Sequence, residues 1–385
     1  MPKTAKNLTY LRAQNQGAIL KALLLGKEIS KQELAGRLNL TPMSISYITN
    51  DLLEKGIITE NQEKPIKKDS PGRRALALEI VPRRLLAIGV SISRRHLRIA
   101  LSDLCGEPIR LISHRHSPDL TKETLTDMIL EEVEDLLKLA PREHILGIGV
   151  SCIGLVDIRE KTVVATTDFF GIQNWPIGKI LQDRFNLTCY VVEDMKAAGL
   201  AEYYYGAAGA LNDFIYLGVT YGLGAGIISN SKLLEGNRGF CGEVGHTTLY
   251  HDGKNCGCGN RGCAEMYLSV GAILERMGLE DWQDFADLCR KSPRDPAVQA
   301  ILRDLATLLV NIVNCYDTEA VIIGHEGALL SEEIFTQLNE EVNRRIMARA
   351  VKKVEILPSA ISEKIHALNG AAVIFSRLFG GEFKL

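Results

Sequence analysis

Three cysteines fall within eight positions, Cys256-Gly257-Cys258-Gly259-Asn260-Arg261-Gly262-Cys263, and His246 lies ten positions before the first of them. Three thiolates and one imidazole are a donor set suited to tetrahedral Zn2+. Glycines between close cysteines let a short loop wrap one ion. Four protein ligands leave no open coordination position, so His246, Cys256, Cys258 and Cys263 are expected to hold a structural zinc, not a hydrolytic one. The alternative is a set of buried, unligated thiols. Glu243 stands three positions before His246 and Glu265 two after Cys263. A metal pinning both ends of this segment would fix the two carboxylates relative to one another. Fixed carboxylates are good acceptors for neighbouring sugar hydroxyls; read singly, each glutamate is a surface charge.

A second set of polar residues lies near the start of the chain. Thr41, Ser44, Ser46, Tyr47, Thr49 and Asn50 cluster on one short segment, and Ile45, Ile48, Leu52 and Leu53 give that segment a helical apolar face. Thr41 is placed to cap it, with Pro42 at the first helical position. Upstream, Ser30-Lys31-Gln32-Glu33 is a capping box opening a shorter helix with Leu34, Ala35 and Leu38 inward. Before it, Ile19, Leu20, Leu23 and Leu24 recur at helical spacing up to Gly26. This is helix–turn–helix organisation, whose second helix can lie in a major groove and offer small polar side chains to base edges and phosphates. Ile57-Ile58-Thr59 and Ala75-Leu76-Ala77-Leu78 then read as two strands around a basic Pro/Gly turn carrying Lys64, Lys67, Lys68, Arg73 and Arg74. A hairpin with a basic tip after a helix–turn–helix is a wing, and its cations would meet phosphates or the minor groove. The alternatives are a solvated helix face and a basic linker.

These residues sit in a chain of 385 with 46% hydrophobic and 24% charged side chains, a composition that supports a sizeable core. The net charge of -2 hides an asymmetry: residues 1–80 carry thirteen basic and eight acidic side chains, and the rest is acidic. A basic head on an acidic body is the pattern of a DNA-binding module joined to a different domain. No apolar run of about 20 residues and no signal-like start are apparent, so a cytoplasmic protein without membrane association is expected. From residue 84 the pattern turns α/β. Strands are expected at 85–90, 97–101 and 145–150, a helix at 121–139, and a further strand at 214–219. Thr220-Tyr221-Gly222-Leu223-Gly224-Ala225-Gly226 follows the last strand and reads either as an anion cradle or as a plain hairpin turn.

At these residues the sequence resembles the ROK family of repressors, open reading frames and sugar kinases, over essentially the whole chain. Gly242 to His246 is similar to the family's E-x-G-H motif, and Cys256 to Glu265 to its C-x-C-G-x-x-G-C-x-E motif. Gly72-Arg73-Arg74 resembles the repressor branch. The resemblance implies an α/β protein: an N-terminal winged helix–turn–helix, then a two-lobed, actin-like (ribonuclease H-like) sugar-binding body. Expected domains are 1–80 for the head, 81–194 for a first lobe completed by a C-terminal helix at 365–385, and 195–364 for a second lobe with the zinc loop. By the same resemblance Gly154, Asn174, Asp194, Glu243, His246 and Glu265 contact sugar, with Asp194 at the place of the kinases' catalytic base. His246 would serve zinc and sugar through different ring nitrogens. Thr41, Ser44, Ser46, Tyr47, Asn50, Arg73 and Arg74 are the expected DNA contacts.

Two departures from the family pattern matter. Where kinases carry D-x-G-x-T, this chain has Ser91-Ile92-Ser93-Arg94-Arg95, which lacks the carboxylate for Mg2+ and places side chains where phosphates approach. No catalytic residue is therefore expected, and the body should not transfer phosphate. The kinases' N-D-x-N reads Glu193-Asp194-Met195-Lys196, and Ile153 stands where a proline is usual. Lys196 opens the reading of an acidic or phosphorylated sugar; the alternative is that it pairs with Glu193 or Asp194. The expected function is a sugar-responsive transcriptional repressor, a homodimer or homotetramer on a pseudo-palindromic operator DNA, controlled allosterically by a carbohydrate effector. The alternatives are an active ROK sugar kinase with a DNA-binding head and a regulator controlled by a partner protein.

Overall fold

The computed structural model describes residues 8–26, 28–66, 75–167, 169–362 and 364–385. The chain opens with three helices, α1 (Leu8–Gly26), α2 (Lys31–Leu38) and α3 (Pro42–Glu54), and a hairpin of β1 (Ile58–Ile66) and β2 (Ala75–Ile80). Next come β3 (Leu86–Ile92), β4 (His96–Asp103), β5 (Pro108–Arg115), α4 (Lys122–Leu137) and β6 (Ile145–Cys152). Three short strands follow, β7 (Leu155–Asp157), β8 (Thr162–Ala165) and β9 (Gln173–Trp175), then α5 (Ile177–Phe185), β10 (Cys189–Glu193) and α6 (Asp194–Tyr205). The rest comprises β11 (Phe214–Val219), β12 (Leu223–Ser229), β13 (Lys232–Leu233), α7 (Glu265–Leu268), α8 (Val270–Met277), α9 (Trp282–Lys291), α10 (Pro296–Tyr316), β14 (Ala320–His325), α11 (Glu332–Arg345), β15 (Glu355–Pro358) and α12 (Ile365–Phe379).

Two five-stranded sheets carry the body, ordered β10-β6-β3-β4-β5 and β13-β12-β11-β14-β15. Each begins with an antiparallel meander of three consecutive strands and adds two later strands beside the first. In the second sheet β14 and β15 are parallel to β11, and the helices between them supply the crossovers. The chain thus repeats one sheet plan although its sequence shows no repeat. The runs Leu86–Ile92, Phe214–Val219 and Ala320–His325 are buried throughout, as near-continuous apolar strands should be when both sheet faces are covered.

The chain divides into two compact units. The first takes Met1–Ser151, Pro176–Val191 and Ala367–Leu385; the second takes Cys152–Trp175 and Val192–His366. In the second unit α10 is long and apolar enough, by length and composition, to cross a bilayer, a property the sequence reading overlooked. Here it is a core helix: eleven of its residues are buried, and Asp304 on it binds Arg276 at 2.7 Å.

Within the first unit, the head is joined to the end of α12. The backbone of α1 lies so close that a Cβ on Gly17 would sit 2.4 Å from the Leu378 carbonyl oxygen and 2.7 Å from that of Phe379. Gly381, at φ +81°, lies against Gln14 in the same way, at 2.6 Å from its nitrogen. Lys55 donates to the Leu385 carbonyl at 2.8 Å, and Arg84 Nε donates to the Lys55 carbonyl at 2.9 Å.

Candidate functional site

The head is built by its caps. Ser30 accepts from the Glu33 amide and Glu33 reaches back to the Ser30 amide at 2.8 Å, a complete capping box. Thr41 Oγ1 accepts from the Ser44 amide at 3.2 Å with Pro42 at the first helical position. α3 then buries Ile45, Ile48 and Leu52, which leaves Thr41, Ser46, Tyr47 and Asn50 exposed and Ser44 half-exposed on one face. Thr49, grouped with the outward residues on sequence, is buried instead: its hydroxyl donates to the Ile45 carbonyl at 2.8 Å, so it braces the helix. Tyr47 is not a free side chain. Arg12 stacks over its ring at 5.2 Å and donates to its hydroxyl, while also bonding Asp51 at 2.9 Å. Met43, 82% exposed on the same helix, was not singled out on sequence and offers an apolar contact of the kind that reads a thymine methyl. The wing strands β1 and β2 pair antiparallel from Ile58↔Ile80 to Ile66↔Ala75. Lys67, Lys68, Gly72, Arg73 and Arg74 lie outside the described residues.

In the second unit, the loop after the Val244–His246 turn folds back so that Thr248 pairs with Cys263 and Asn255 with Arg261. This brings the four proposed metal donors together, with all ligand atoms within 4.8 Å of one another. His246 Nδ1 is 3.6 Å from Cys256 Sγ, and Cys258 Sγ is 3.7 Å from Cys263 Sγ. A tetrahedron with ordinary zinc bond lengths has N–S and S–S edges of about 3.6 and 3.8 Å. The donor chemistry and spacing therefore fit such an ion. Nδ1 faces the sulfurs, which leaves Nε2 of His246 for a different partner. Asn260 ties the loop down, donating to the Thr248 hydroxyl at 3.0 Å and to Cys263 Sγ at 3.4 Å.

Next to this cluster the second unit gathers carboxylates. Glu265 opens α7 and accepts from the Leu223 amide at 2.9 Å, on the β11–β12 turn. Glu243 is half-buried; burial raises its pKa, and so does the charge of Glu193, against Lys196 and His246. Asp194 opens α6. Burial first, then the adjacent Glu193, holds its carboxyl well above the usual aspartate range. Glu193 is the N-cap of α6, accepting from the Met195 and Lys196 amides at 3.1 and 3.2 Å. Lys196, with its side chain 2% exposed, turns back to the same carboxylate at 3.2 Å. Of the two sequence readings of Lys196, pairing is the one the structure adopts.

Lys196 thus lies within electrostatic reach of Asp194 and Glu243, and Glu243 in turn lies within reach of His246 and Glu265. Gly154 and Asn174 belong to the small sheet β7-β8-β9. Gly154 takes φ +91°, and a Cβ there would meet the Ala165 carbonyl at 2.4 Å; Asn174 also has positive φ and is exposed. This sheet is tied to the segment that leads to Glu243, since Arg238 Nε donates to Asp157 at 2.8 Å and the Ile158 amide to the Arg238 carbonyl at 3.1 Å. In the glycine-rich stretch 220–226, residues 220–222 make the hairpin turn and 223–226 start β12, with Val219 opposite Leu223. Gly226 serves packing: a Cβ there would lie 2.3 Å from the Met195 carbonyl, so its absence lets α6 lie on β12. Sequence reasoning missed His325, buried at the end of β14 with φ +55° and its ring 5.1 Å from that of His366. No local pattern announces it.

Comparison with known proteins agrees with this arrangement. Residues 87–377 match the ROK family, and residues 12–59 match a winged helix-turn-helix DNA-binding family. A xylose repressor of Caldicellulosiruptor bescii is 30% identical, over 96% of this chain and 97% of its own length. The xylose repressor of Bacillus subtilis is 28% identical over 95% of this chain and 96% of its own, and the transcriptional dual regulator NagC of Escherichia coli is 25% identical over 97% and 95%. Among solved structures, a ROK family transcriptional regulator described as a homolog of the E. coli MLC protein superposes with a TM-score of 0.77, 23% identity and coverage of 97% of this chain and 98% of its own. A ROK hexokinase from Thermus thermophilus gives 0.63 with 22% identity, covering 75% of this chain and 97% of its own. The chain belongs to the ROK family, with a winged helix–turn–helix head preceding an actin-like α/β body.

Proposed function

We propose that this chain is a sugar-responsive transcriptional repressor. The observation that carries the proposal is the presence, in one chain, of a capped recognition helix with a polar outer face and a carboxylate cluster beside a thiol–imidazole site. The near full-length similarity to xylose repressors supports it and makes D-xylose the first effector to test. In this reading the exposed side chains of Thr41, Ser46, Tyr47 and Asn50, with Ser44, meet the operator, and the basic wing adds phosphate contacts. Arg12 holds the Tyr47 ring in place for that task.

In the body, Glu243 and Glu265 would accept sugar hydroxyls. Asp194, whose burial and neighbouring Glu193 favour its protonated form, is assigned a hydrogen bond to the same sugar. Zn2+, bound by His246, Cys256, Cys258 and Cys263, would supply a structural crosslink. Those residues hold the loop and orient the His246 ring so that Nε2 faces the sugar. Gly154 and Asn174 are assigned to the rim of the same site.

We read the body as a sensor and not a phosphotransferase. Ser91 is buried in β3 opposite Arg98, and Ser93 to His96 form a tight turn occupied by two arginines. That turn offers no carboxylate for Mg2+. The working form is assigned as a cytoplasmic homodimer or homotetramer, so that two heads read two half-sites.

The test is operator binding by fluorescence anisotropy with D-xylose and other sugars titrated in, beside a coupled assay with ATP and the same sugars. Sugar-dependent change in DNA affinity without turnover is the expected result. Turnover abolished by Asp194→Asn would overturn the sensor reading. Chelation of the metal, or Cys256→Ser, is expected to weaken sugar binding at least tenfold by calorimetry; unchanged affinity in verified metal-free protein would remove zinc from the account.

A further inference from the structure

The pair Glu193–Lys196 is placed differently from a surface ion pair. The Lys196 ammonium lies 3.2 Å from Glu193 Oε2, with the two side chains 2% and 13% exposed. The same carboxylate is fixed from its other side by two backbone amides at the start of α6. Gly224 and Gly242 close over the pair: a Cβ on the first would lie 3.5 Å from Glu193 Oε1, and one on the second 3.9 Å from Lys196 Nζ. The ammonium is therefore held in one geometry. It already neutralises Glu193, and its charge also reaches Glu243 and Asp194.

Lys196, already paired with Glu193, lies within electrostatic reach of Asp194 and Glu243, and Glu243 lies within reach of Glu265. An anionic ligand entering here would meet the charges of Glu243 and Glu265 and would have to draw Lys196 away from Glu193, leaving that buried carboxylate with its two backbone amides but no counter-cation. An uncharged polyol meets no such penalty and finds hydrogen-bond acceptors on Glu243 and Glu265. We propose that the Glu193–Lys196 pair is a specificity-determining element that restricts the effector to uncharged sugars and excludes sugar phosphates and sugar acids. This inference rests on the sugar-sensor reading and narrows it.

The experiment is calorimetry on the full chain with D-xylose, D-glucose, N-acetylglucosamine, their phosphate esters and the aldonic acids xylonate and gluconate. The expected result is binding of at least one neutral sugar, at least tenfold tighter than its phosphate or acid. Glu193→Gln retains an acceptor for the helix amides but frees the ammonium. It should raise affinity for the phosphate ester of the bound sugar at least tenfold relative to the neutral form. Lys196→Met should weaken the neutral sugar, and the double variant Glu193→Gln/Lys196→Met, which removes both charges, should recover much of that loss. A wild-type preference for a phosphate or an acid overturns the inference while leaving the sugar sensor standing. So does a Glu193→Gln variant whose folded state is verified by circular dichroism and whose discrimination is unchanged. Failure of every sugar to bind overturns both.

Discussion

Asp194 and Glu193 are consecutive carboxyl groups at the start of one helix, and their surroundings differ. Glu193 is anchored by two amides and an ammonium; Asp194 is pushed toward its protonated form by burial and by that neighbour. The sign for stability follows. A group whose folded pKa is raised contributes stability fully present below its unfolded pKa, near 4, and lost as pH rises through the folded value. Asp194→Asn removes this dependence while keeping size and a hydrogen-bond donor. The variant's thermal midpoint is therefore expected to fall less than wild type's between pH 5 and pH 9, by about 2–4 °C for each kcal/mol involved. Parallel midpoint curves across that range would show that Asp194 ionises normally.

Among the elements, the contact between α1 and the end of α12 is open to disruption by a single substitution. Gly17→Ala would drive a methyl into two backbone carbonyls, which cannot turn aside as a side chain can. Overpacking of this kind costs roughly 1–3 kcal/mol. The head should lose operator affinity while sugar binding in the second unit stays intact; an operator affinity equal to wild type's would show that the head does not need this seat. The helix caps, the apolar face of α3, the wing and the first strands of the body were all legible in the sequence, because caps and periodicities act within a few residues. The gathering of His246, Cys256, Cys258 and Cys263 was legible because their spacing is short. The burial of Thr49 was not legible because a threonine can satisfy its hydroxyl on its own helix, and α10 was overlooked because a core helix can be as apolar as a membrane one. The seat of α1 was invisible: Gly17 looks like any helical glycine until residues more than 350 positions later arrive beside it. The partner choice of Lys196 also needed the fold, since two carboxylates were within sequence reach.

For the whole molecule, the proposed effector and operator are linked by one coupling free energy. Whatever factor the sugar imposes on operator affinity, operator DNA must impose on sugar affinity. Calorimetric titration of sugar into the protein–DNA complex should therefore give a dissociation constant shifted by the same factor as the reverse experiment. Unequal factors would mean that a further equilibrium, such as a change of oligomeric state, takes part. The seat of α1 on residues 378–381 also bears on the order in which the protein is made. Gly17 is translated well before residues 378–381, the surface it rests on. At about 5–20 residues per second, roughly 20–70 s separate the two. During that interval the head has its own caps and hairpin but not its support, so a nascent chain is expected to bind operator more weakly than one extended through residue 385.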